Sequence, residues 1–466
     1  MNLNHIVIGS GPTGLLVHSE LKKAGSRGLV LEKGKKINST INDIYTKEQL
    51  KNGYLYSGLN ILWGNPLTLL SEGSCVGGGS TLNSSLHHRA PNFIWQKWRS
   101  KYDLRGFDEE RVEKIYSEIE NLFDLNLSKS KMNDFFHTAA KFYKVQNIPR
   151  WGVEDNDLNL KRTTGITVAK KYALDIEDDI ISNYFIEKIS YKSNNDIEII
   201  GYEKIFNKEK LSFEKRSIYF VVKKLFICAG AGATPMILHK LGLRHKNLGR
   251  FQIHPSARIS LVPKEAKELI QVVEPFQITH FLPKIMIGSS ANREFLSKAN
   301  FPYRDSRNID FSQCQNYYAM APSEKKGRTF FRGPLKGLRI YNLSNEAIVN
   351  IQNGLKLIFD LAKVSNKYKY IYSPGGLLDL ENNKEIQIKN FIKKTVKKTM
   401  SSVHIFSSAS AGENKVLCPV NSDGSIDLLP NIHVMDSSLI PSCPTVNPQA
   451  TACVFALSLI RRFLKK

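Results

Sequence analysis

Three glycines and one carboxylate near the N-terminus have the spacing that binding a dinucleotide requires. Gly9-x-Gly11-x-x-Gly14 follows the apolar run Ile6-Val7-Ile8. It opens a segment with Leu15, Leu16, Leu21 and Ala24 at helical spacing, and a second apolar run, Leu29-Val30-Leu31, then ends in Glu32. Gly9 permits a tight turn, Gly11 lets backbone approach a pyrophosphate, and Gly14 lets the helix pack on the strand. Pro12 and Thr13 lie inside the fingerprint, at a helix N-terminus that would stabilise the anion. Glu32 stands where a carboxylate accepts hydrogen bonds from an adenosine ribose. Strand, loop, helix, strand and acid fall in order within about thirty residues, which a chance glycine triplet would not give, and either FAD or NAD fits.

Two further small-residue turns follow. Cys75-Val76-Gly77-Gly78-Gly79-Ser80-Thr81-Leu82-Asn83 suggests backbone pressed against a flat or anionic surface, with Ser80 and Asn83 as nearby polar groups. Leu225-Phe226-Ile227-Cys228 reads as a buried strand running into Ala229-Gly230-Ala231-Gly232-Ala233-Thr234-Pro235, where Thr234 is the expected cap of a helix from Pro235 to Leu241.

The elements that must position these turns are legible in outline. Val112, Ile115, Tyr116, Ile119, Leu122 and Phe123 predict a helix behind the cap Asp108, and Phe135 to Tyr143 a second. Short alternating strands are expected between Ile176 and Val222. Gln277 to Phe281 and Leu338 to Tyr341 suggest an antiparallel sheet, and a helix is expected from about Ser344 to Lys363. No repeat or low-complexity linker is present.

Composition narrows the class. The chain of 466 residues, 42% hydrophobic and 23% charged, is long enough for two domains and contains no apolar run of membrane-spanning length. Its six cysteines form no C-x-x-C pair and no metal-ligand spacing, so reduced thiols and no metal are expected. So few residues precede the first strand that no signal or transit segment is expected, which points to a cytoplasmic protein. The net charge of +23 is scattered, which argues against nucleic acid and leaves an anionic membrane face, substrate or redox partner open. The C-terminal Ile460-Arg461-Arg462-Phe463-Leu464-Lys465-Lys466 is a short candidate for peripheral lipid contact.

The C-terminal quarter carries Val403-His404-Ile405-Phe406, then Asp436-Ser437-Ser438-Leu439-Ile440-Pro441, then Thr445-Val446-Asn447-Pro448-Gln449-Ala450-Thr451 ahead of an apolar helix. With the two glycine-rich turns, these segments resemble the glucose-methanol-choline (GMC) oxidoreductases, FAD enzymes that oxidise alcohols. The resemblance implies that Gly9, Gly11, Gly14 and Glu32 hold the FAD pyrophosphate and ribose. Gly77 to Asn83 matches the family's G-G-x-S-x-x-N segment beside the flavin, which brings in Gly78, Gly79, Ser80 and Asn83. Some members link flavin to a histidine just before that asparagine. Here the position is Leu82, so noncovalent FAD is implied.

Ala229, Gly230 and Thr234-Pro235 resemble the family's A-G-A-x-x-T-P signature, with His254-Pro255 matching the end of the next motif. Asp436 and Ser437 match the strand end that meets the ribityl and phosphate groups. His404 and Asn447 match the catalytic histidine and its partner. Pro448 and Gln449 open a helix whose positive end would face the flavin C2 carbonyl. The segment after His404, Ile405 to Gly412, departs from the family's H-x-x-G-T-x-x-M-G, and the other histidines (His87, His88, His239, His254, His280 and His433) read as structural, with His254 near the cofactor.

The expected fold class is therefore α/β in a two-domain α+β arrangement. A discontinuous Rossmann-like FAD domain (1–95, 160–258 and 400–466) would be joined by a substrate domain with an antiparallel sheet and helices (96–159 and 259–399). The expected reaction is oxidation of an alcohol CH–OH group, a sugar or sugar conjugate being the substrate favoured. His404 takes the hydroxyl proton as hydride leaves for flavin N5, and Asn447 orients the oxygen. The electron acceptor (oxygen, a quinone or a protein) stays open. The alternatives are a lyase of the same family, or a basic binding protein without catalysis.

Overall fold

A computed structural model describes all residues except 1–2, 157–158, 173–177, 193–194, 208–211, 267–271, 303–304, 306 and 466. Two sheets organise it. The first is a five-stranded parallel sheet in the order Ile432–Val434, Lys224–Ile227, His5–Ile8, Gly28–Leu31, Ile180–Ile181. Its strands are short apolar runs because both faces are covered, and helices Pro12–Lys23 and Gln449–Leu464 pack against each other over it. Helices Asn92–Tyr102 and Glu109–Leu122 join the same core, where Trp95, Trp98, Phe107 and Phe455 stack around one another.

The second sheet has ten strands, mostly antiparallel, along the order Asn60–Leu62, Thr68–Leu70, Ser401–Ser402, Ser256–Pro263, Gln315–Met320, Met286–Ser289, Phe276–Ile278, Val145–Asn147. Tyr368–Ser373 and Gly376–Asp379 branch from Ser256–Pro263. Helix Asn345–Ser365, capped by Ser344, lays Ile351, Leu355, Ile358 and Leu361 into the core beneath it. A three-stranded antiparallel sheet, Tyr184–Tyr191, Ile197–Asn207 and Ser212–Val222, extends from the first sheet. It covers the alternating segment read from the sequence, whose expected start at Ile176 lies outside the described residues. The sheets share segments: residues 60–70 and 401–402 belong to the second, although they lie among the stretches expected for the nucleotide domain.

One expectation about a helix is corrected. The helix after Ile227 runs Gly230–Lys240 rather than beginning at Pro235, and Thr234 lies inside it instead of capping it. A proline at that depth has no N–H to give the carbonyl of Ala231 four residues back. That carbonyl accepts instead from the Ser408 hydroxyl at 2.7 Å, which satisfies it, and the Thr234 hydroxyl donates to Asp436. The C-terminal segment has a structural task too. Arg461 pairs with Glu20 and Glu118, and Phe463 packs edge-on against Phe226. Lys466 lies outside the described residues.

The turn after the first strand tolerates no side chain at two of its glycines. Gly9 has φ +98°, and a Cβ on Gly14 would stand 2.0 Å from the Gly9 carbonyl oxygen. Gly14→Ala is therefore expected to shift strand against helix and to destabilise the chain by about 1–3 kcal/mol, read as a lower midpoint in thermal or urea unfolding.

Candidate active site

The nucleotide end is built from backbone. Gly11 caps helix Pro12–Lys23 without a side-chain bond, so the amides of the first turn face outward with no partner of their own. A Cβ on Gly11, Gly79 or Gly230 would meet nothing within 4 Å, whereas Gly78 packs so closely that its Cβ would lie 2.9 Å from the Gly11 Cα. The open glycines thus border space that a side chain would fill. Ser10, which sequence reasoning passed over, ties the turn together. Its amide and hydroxyl donate to Glu32 Oε2 at 2.9 and 2.7 Å, and its hydroxyl accepts from the Gly77 amide at 3.2 Å. Glu32 Oε1 accepts from the Gly34 amide, so the carboxylate is held rigid with lone pairs to spare. Ser80 is occupied by the turn, donating to the Gly77 carbonyl and accepting from Gly165. Thr13 and Gly14 are buried in the helix.

A second group forms around Asp436. Its carboxylate accepts from the Gly230 amide at 2.9 Å, the Thr234 hydroxyl at 2.5 Å and the Ser438 amide at 2.8 Å. Burial raises its pKa, and these donors oppose that shift. The carboxylate locks the turn at Ala229 and Gly230 to the turn at Ser437, and strands of the first sheet lead into both.

The third group is where proton chemistry can occur. Strand Gln252–Ile253 pairs antiparallel with Ile405–Phe406, Gln252 opposite Phe406 and Ile253 opposite Ile405, and the next step of that register brings His254 to His404. Their Nδ1 atoms lie 3.1 Å apart, and His254 Nε2 lies 3.1 Å from Cys443 Sγ. Burial, with His88 as a lesser cause, holds the His404 pKa down to about 3. Burial, then His404, pushes His254 well below its usual value, and burial takes His88 to about 4. All three imidazoles are neutral at physiological pH.

His88 and His254, read from sequence as structural, are therefore neighbours of His404. The signal for His254 is a cross-strand register spanning about 150 residues, and that for His88 a contact with Gln277 at similar range, neither of which periodicity carries. His88 Nε2 lies 2.9 Å from Gln277 Oε1, so Nε2 carries its proton and the buried Nδ1 keeps a free lone pair.

The segment from Cys443 to Gln449 joins these groups. Cys443 touches His254, Gln449 Oε1 accepts from Asn83 Nδ2 at 2.5 Å, and Asn447 lies half-buried between the two fixed points. Pro448 begins helix Gln449–Leu464 with no side-chain cap, leaving that N-terminus open as well. Gln449 Nε2, Ser438 Oγ and Thr445 Oγ1 are buried without a partner in the protein. Buried donors seldom stay unsatisfied. Together with the open glycines and the two uncapped helix ends, they suit a group that is anionic at one end and rich in hydrogen-bonding heteroatoms at the other, which is the chemistry of FAD. Among the described residues no cluster of metal-ligating side chains occurs, and all six cysteines are free and buried.

Comparisons with known proteins agree with this geometry. Residues 4–256 and 340–456 match the N- and C-terminal family models described as GMC oxidoreductase. An uncharacterized GMC-type oxidoreductase of Sinorhizobium fredii is 24% identical over 97% of this chain and 93% of its own length. A long-chain-alcohol oxidase of Arabidopsis thaliana is 22% identical over 96% of this chain and 66% of its own. The crystal structure of pyridoxine 4-oxidase superposes with a TM-score of 0.72 at 13% identity over the whole of both chains. A formate oxidase of Aspergillus oryzae does so with a TM-score of 0.75 at 11% identity, over 99% of this chain and 97% of that one.

Two outcomes follow from the site itself. Gly11→Ala is expected to unfold at nearly the wild-type temperature yet purify with much less flavin, read as the ratio of 450 nm to 280 nm absorbance, because its Cβ enters open space rather than protein. The buried histidines also set an acid limit. His5, His88 and His404 titrate near 3, 4 and 3 when folded and near 6.5 when unfolded, so below pH 6.5 the unfolded chain binds more protons. Stability is expected to fall as pH drops from 6.5 toward 4, by up to about 1.4 kcal/mol per unit for each histidine. His88→Gln should flatten the dependence in urea midpoints measured between pH 7 and 5.

Proposed function

The chain belongs to the GMC oxidoreductase family, an FAD-dependent family acting on CH–OH donors, and from that premise we propose that it oxidises a small-molecule alcohol with His404 as the base. The observation that carries this reading is the contact between His404 and His254 in a setting that keeps both neutral. Bound FAD supplies the hydride acceptor. The protein's part is to place a lone pair at the hydroxyl and to move one proton.

The tautomers are linked. His404 can take a proton on Nε2 only if Nδ1 already bears one, which then points at His254 Nδ1. His254 must accept there, so its own proton sits on Nε2, directed at Cys443 Sγ. One arrangement satisfies all three residues and leaves Nε2 of His404 as the basic atom. When that atom gains a proton, the cation is shared with His254 rather than held alone in a buried site. Asn447, fixed between Cys443 and Gln449, is the group we assign to hold the substrate oxygen by its carboxamide. The uncapped helix end at Pro448 favours negative charge gathering nearby.

FAD is proposed to be noncovalent, because Leu82 carries no nucleophile and its side chain is buried against Tyr54 and Cys75. For the substrate, a sugar or sugar conjugate remains our first reading, since the chain's excess positive charge suits a phosphorylated or nucleotide-linked alcohol. A long aliphatic alcohol is the second. It is favoured by the long-chain-alcohol oxidase of Arabidopsis thaliana, 22% identical over 96% of this chain.

Anaerobic mixing with a panel of sugars, sugar phosphates, pyridoxine and alkanols of increasing length tests the reading. A substrate should bleach the 450 nm band in one turnover, and a flavin that never bleaches would favour the lyase chemistry also found in the family. His404→Ala should keep its flavin and lose about 10²- to 10⁴-fold in kcat, and acid precipitation should release the flavin into the supernatant.

A further inference from the structure

The hairpin formed by Asn60–Leu62 and Thr68–Leu70 is built like a surface meant to leave water. Asn52 to Ser71 carries no charged residue. Ile61 pairs with Leu69 across the hairpin, so both point to one face, while Leu62 and Leu70 point to the other and are fully buried. On the outward face Leu59, Ile61, Trp63, Leu67 and Leu69 are between 38% and 73% exposed. Single exposed apolar residues need no explanation, but five apolar residues among the six alternate exposed positions from Leu59 to Leu69, broken only by Asn65 at the tip, do.

Alongside runs the segment 325–345, which contains six Lys and Arg and no Asp or Glu. It is hydrogen-bonded to the hairpin, the Trp63 amide to the Arg339 carbonyl at 2.9 Å and the Tyr341 amide to the Trp63 carbonyl at 2.8 Å. Lys325, Arg328, Arg332 and Lys336 are exposed, and Leu335 between the last two is 48% exposed. A neutral aliphatic face with one aromatic, bordered by cations, has the composition of a site that seats on an anionic bilayer.

From this juxtaposition we infer that the hairpin docks the enzyme on the anionic face of a lipid membrane, with Trp63 and its aliphatic neighbours entering the headgroup region and the 325–345 segment binding lipid phosphates. A second copy of the chain fits less well. At Trp63 the backbone edge through which strands of two copies could pair is already taken by residues 339–341. No helix among the described residues is long and apolar enough to cross a membrane, so the contact is peripheral. The C-terminal helix end, with Arg461 and Phe463 tied into the fold, does not compete for this role.

Position gives the surface a use. Thr68–Leu70 pairs in parallel with Ser401–Ser402, two residues before His404, and Val403 between them is 47% exposed. A membrane bound at the hairpin therefore lies at the strand that presents the proposed base. Docking itself does not rest on the catalytic reading and is tested without turnover.

The holoenzyme is floated with vesicles of phosphatidylcholine alone or mixed with phosphatidylglycerol, while tryptophan emission is recorded. Trp95, Trp98 and Trp151 are buried, so a change in emission reports Trp63. The expected result is flotation with the anionic vesicles only, a blue shift, and loss of both as salt is raised. Trp63→Ser with Leu67→Ser should weaken binding at least about tenfold. Arg332→Glu with Lys336→Glu should weaken it about fivefold or more for each cation removed.

Both variants should keep wild-type near-ultraviolet dichroism. If the apolar pair fails to fold, the charge variant and the salt series carry the test. Absence of flotation with anionic vesicles would overturn the inference, as would equal flotation with neutral ones. So would a concentration-dependent dimer in light scattering that the apolar double variant abolishes.

Discussion

The contact between His254 and His404, on which the proposed proton transfer rests, depends on one short antiparallel pairing, Gln252–Ile253 against Ile405–Phe406. Two strands of the large sheet, Ser256–Pro263 and Ser401–Ser402, lie directly beyond it on either side, so the sheet fixes the height at which His254 and His404 meet. The first sheet, through Asp436, Gly230 and the helix carrying Pro235, fixes what lies below. Ser408 links the two, because its hydroxyl serves the carbonyl that Pro235 leaves open. A histidine pair set by strands on rigid sheets is held more narrowly than one set on loops, and proton transfer between heavy atoms about 3 Å apart needs that constraint.

The same burial that makes these imidazoles useful makes them costly. An isolated buried cation would be strongly disfavoured, and the pKa of each histidine is driven down accordingly. A base with a pKa near 3 would be a poor one if it acted alone. In the proposed mechanism the contact with His254, and beyond it with Cys443, is what would accommodate a transient positive charge that the resting state does not hold. On that proposal, low basicity at rest and competence during turnover are compatible only because the tautomers are coupled. The thiol, itself raised to about 12 by burial, stays protonated and so contributes a neutral dipole rather than a second charge.

What the sequence made legible, and what it did not, divides along the range of the interactions. The nucleotide turn was readable because its constraints are local: Gly9 needs a positive φ, Gly14 must approach Gly9, and Glu32 closes a motif of about thirty residues. Asp108 caps its helix as expected for the same reason, and the helix expected from about Ser344 runs Asn345–Ser365 with Ser344 as its cap. Thr234 was misread as a cap because the chain alone does not show that Ser408, far away in sequence, supplies the missing donor. His88 and His254 were read as structural because their meaning lies in partners more than a hundred residues distant. His404 and Asn447 stood out only through resemblance to a family, and the distance between their side chains was never encoded in spacing.

The exposed hairpin shows the other side of that division. Its sequence, Asn60-Ile61-Leu62-Trp63-Gly64-Asn65-Pro66-Leu67, reads as a turn between apolar residues and is equally consistent with a buried corner. Only the register separates the two faces: Ile61 opposite Leu69 outward, Leu62 and Leu70 inward. A one-residue slip would exchange them, placing Ile61 and Leu69 in the core and exposing Leu62 and Leu70. The parallel pairing with Ser401–Ser402 prevents the slip, so the pairing that presents His404 also decides which apolar side chains face outward. Substitutions that loosen this strand would then disturb surface and base together, whereas changes at the hairpin tip, beyond the last paired residues, act on the surface alone.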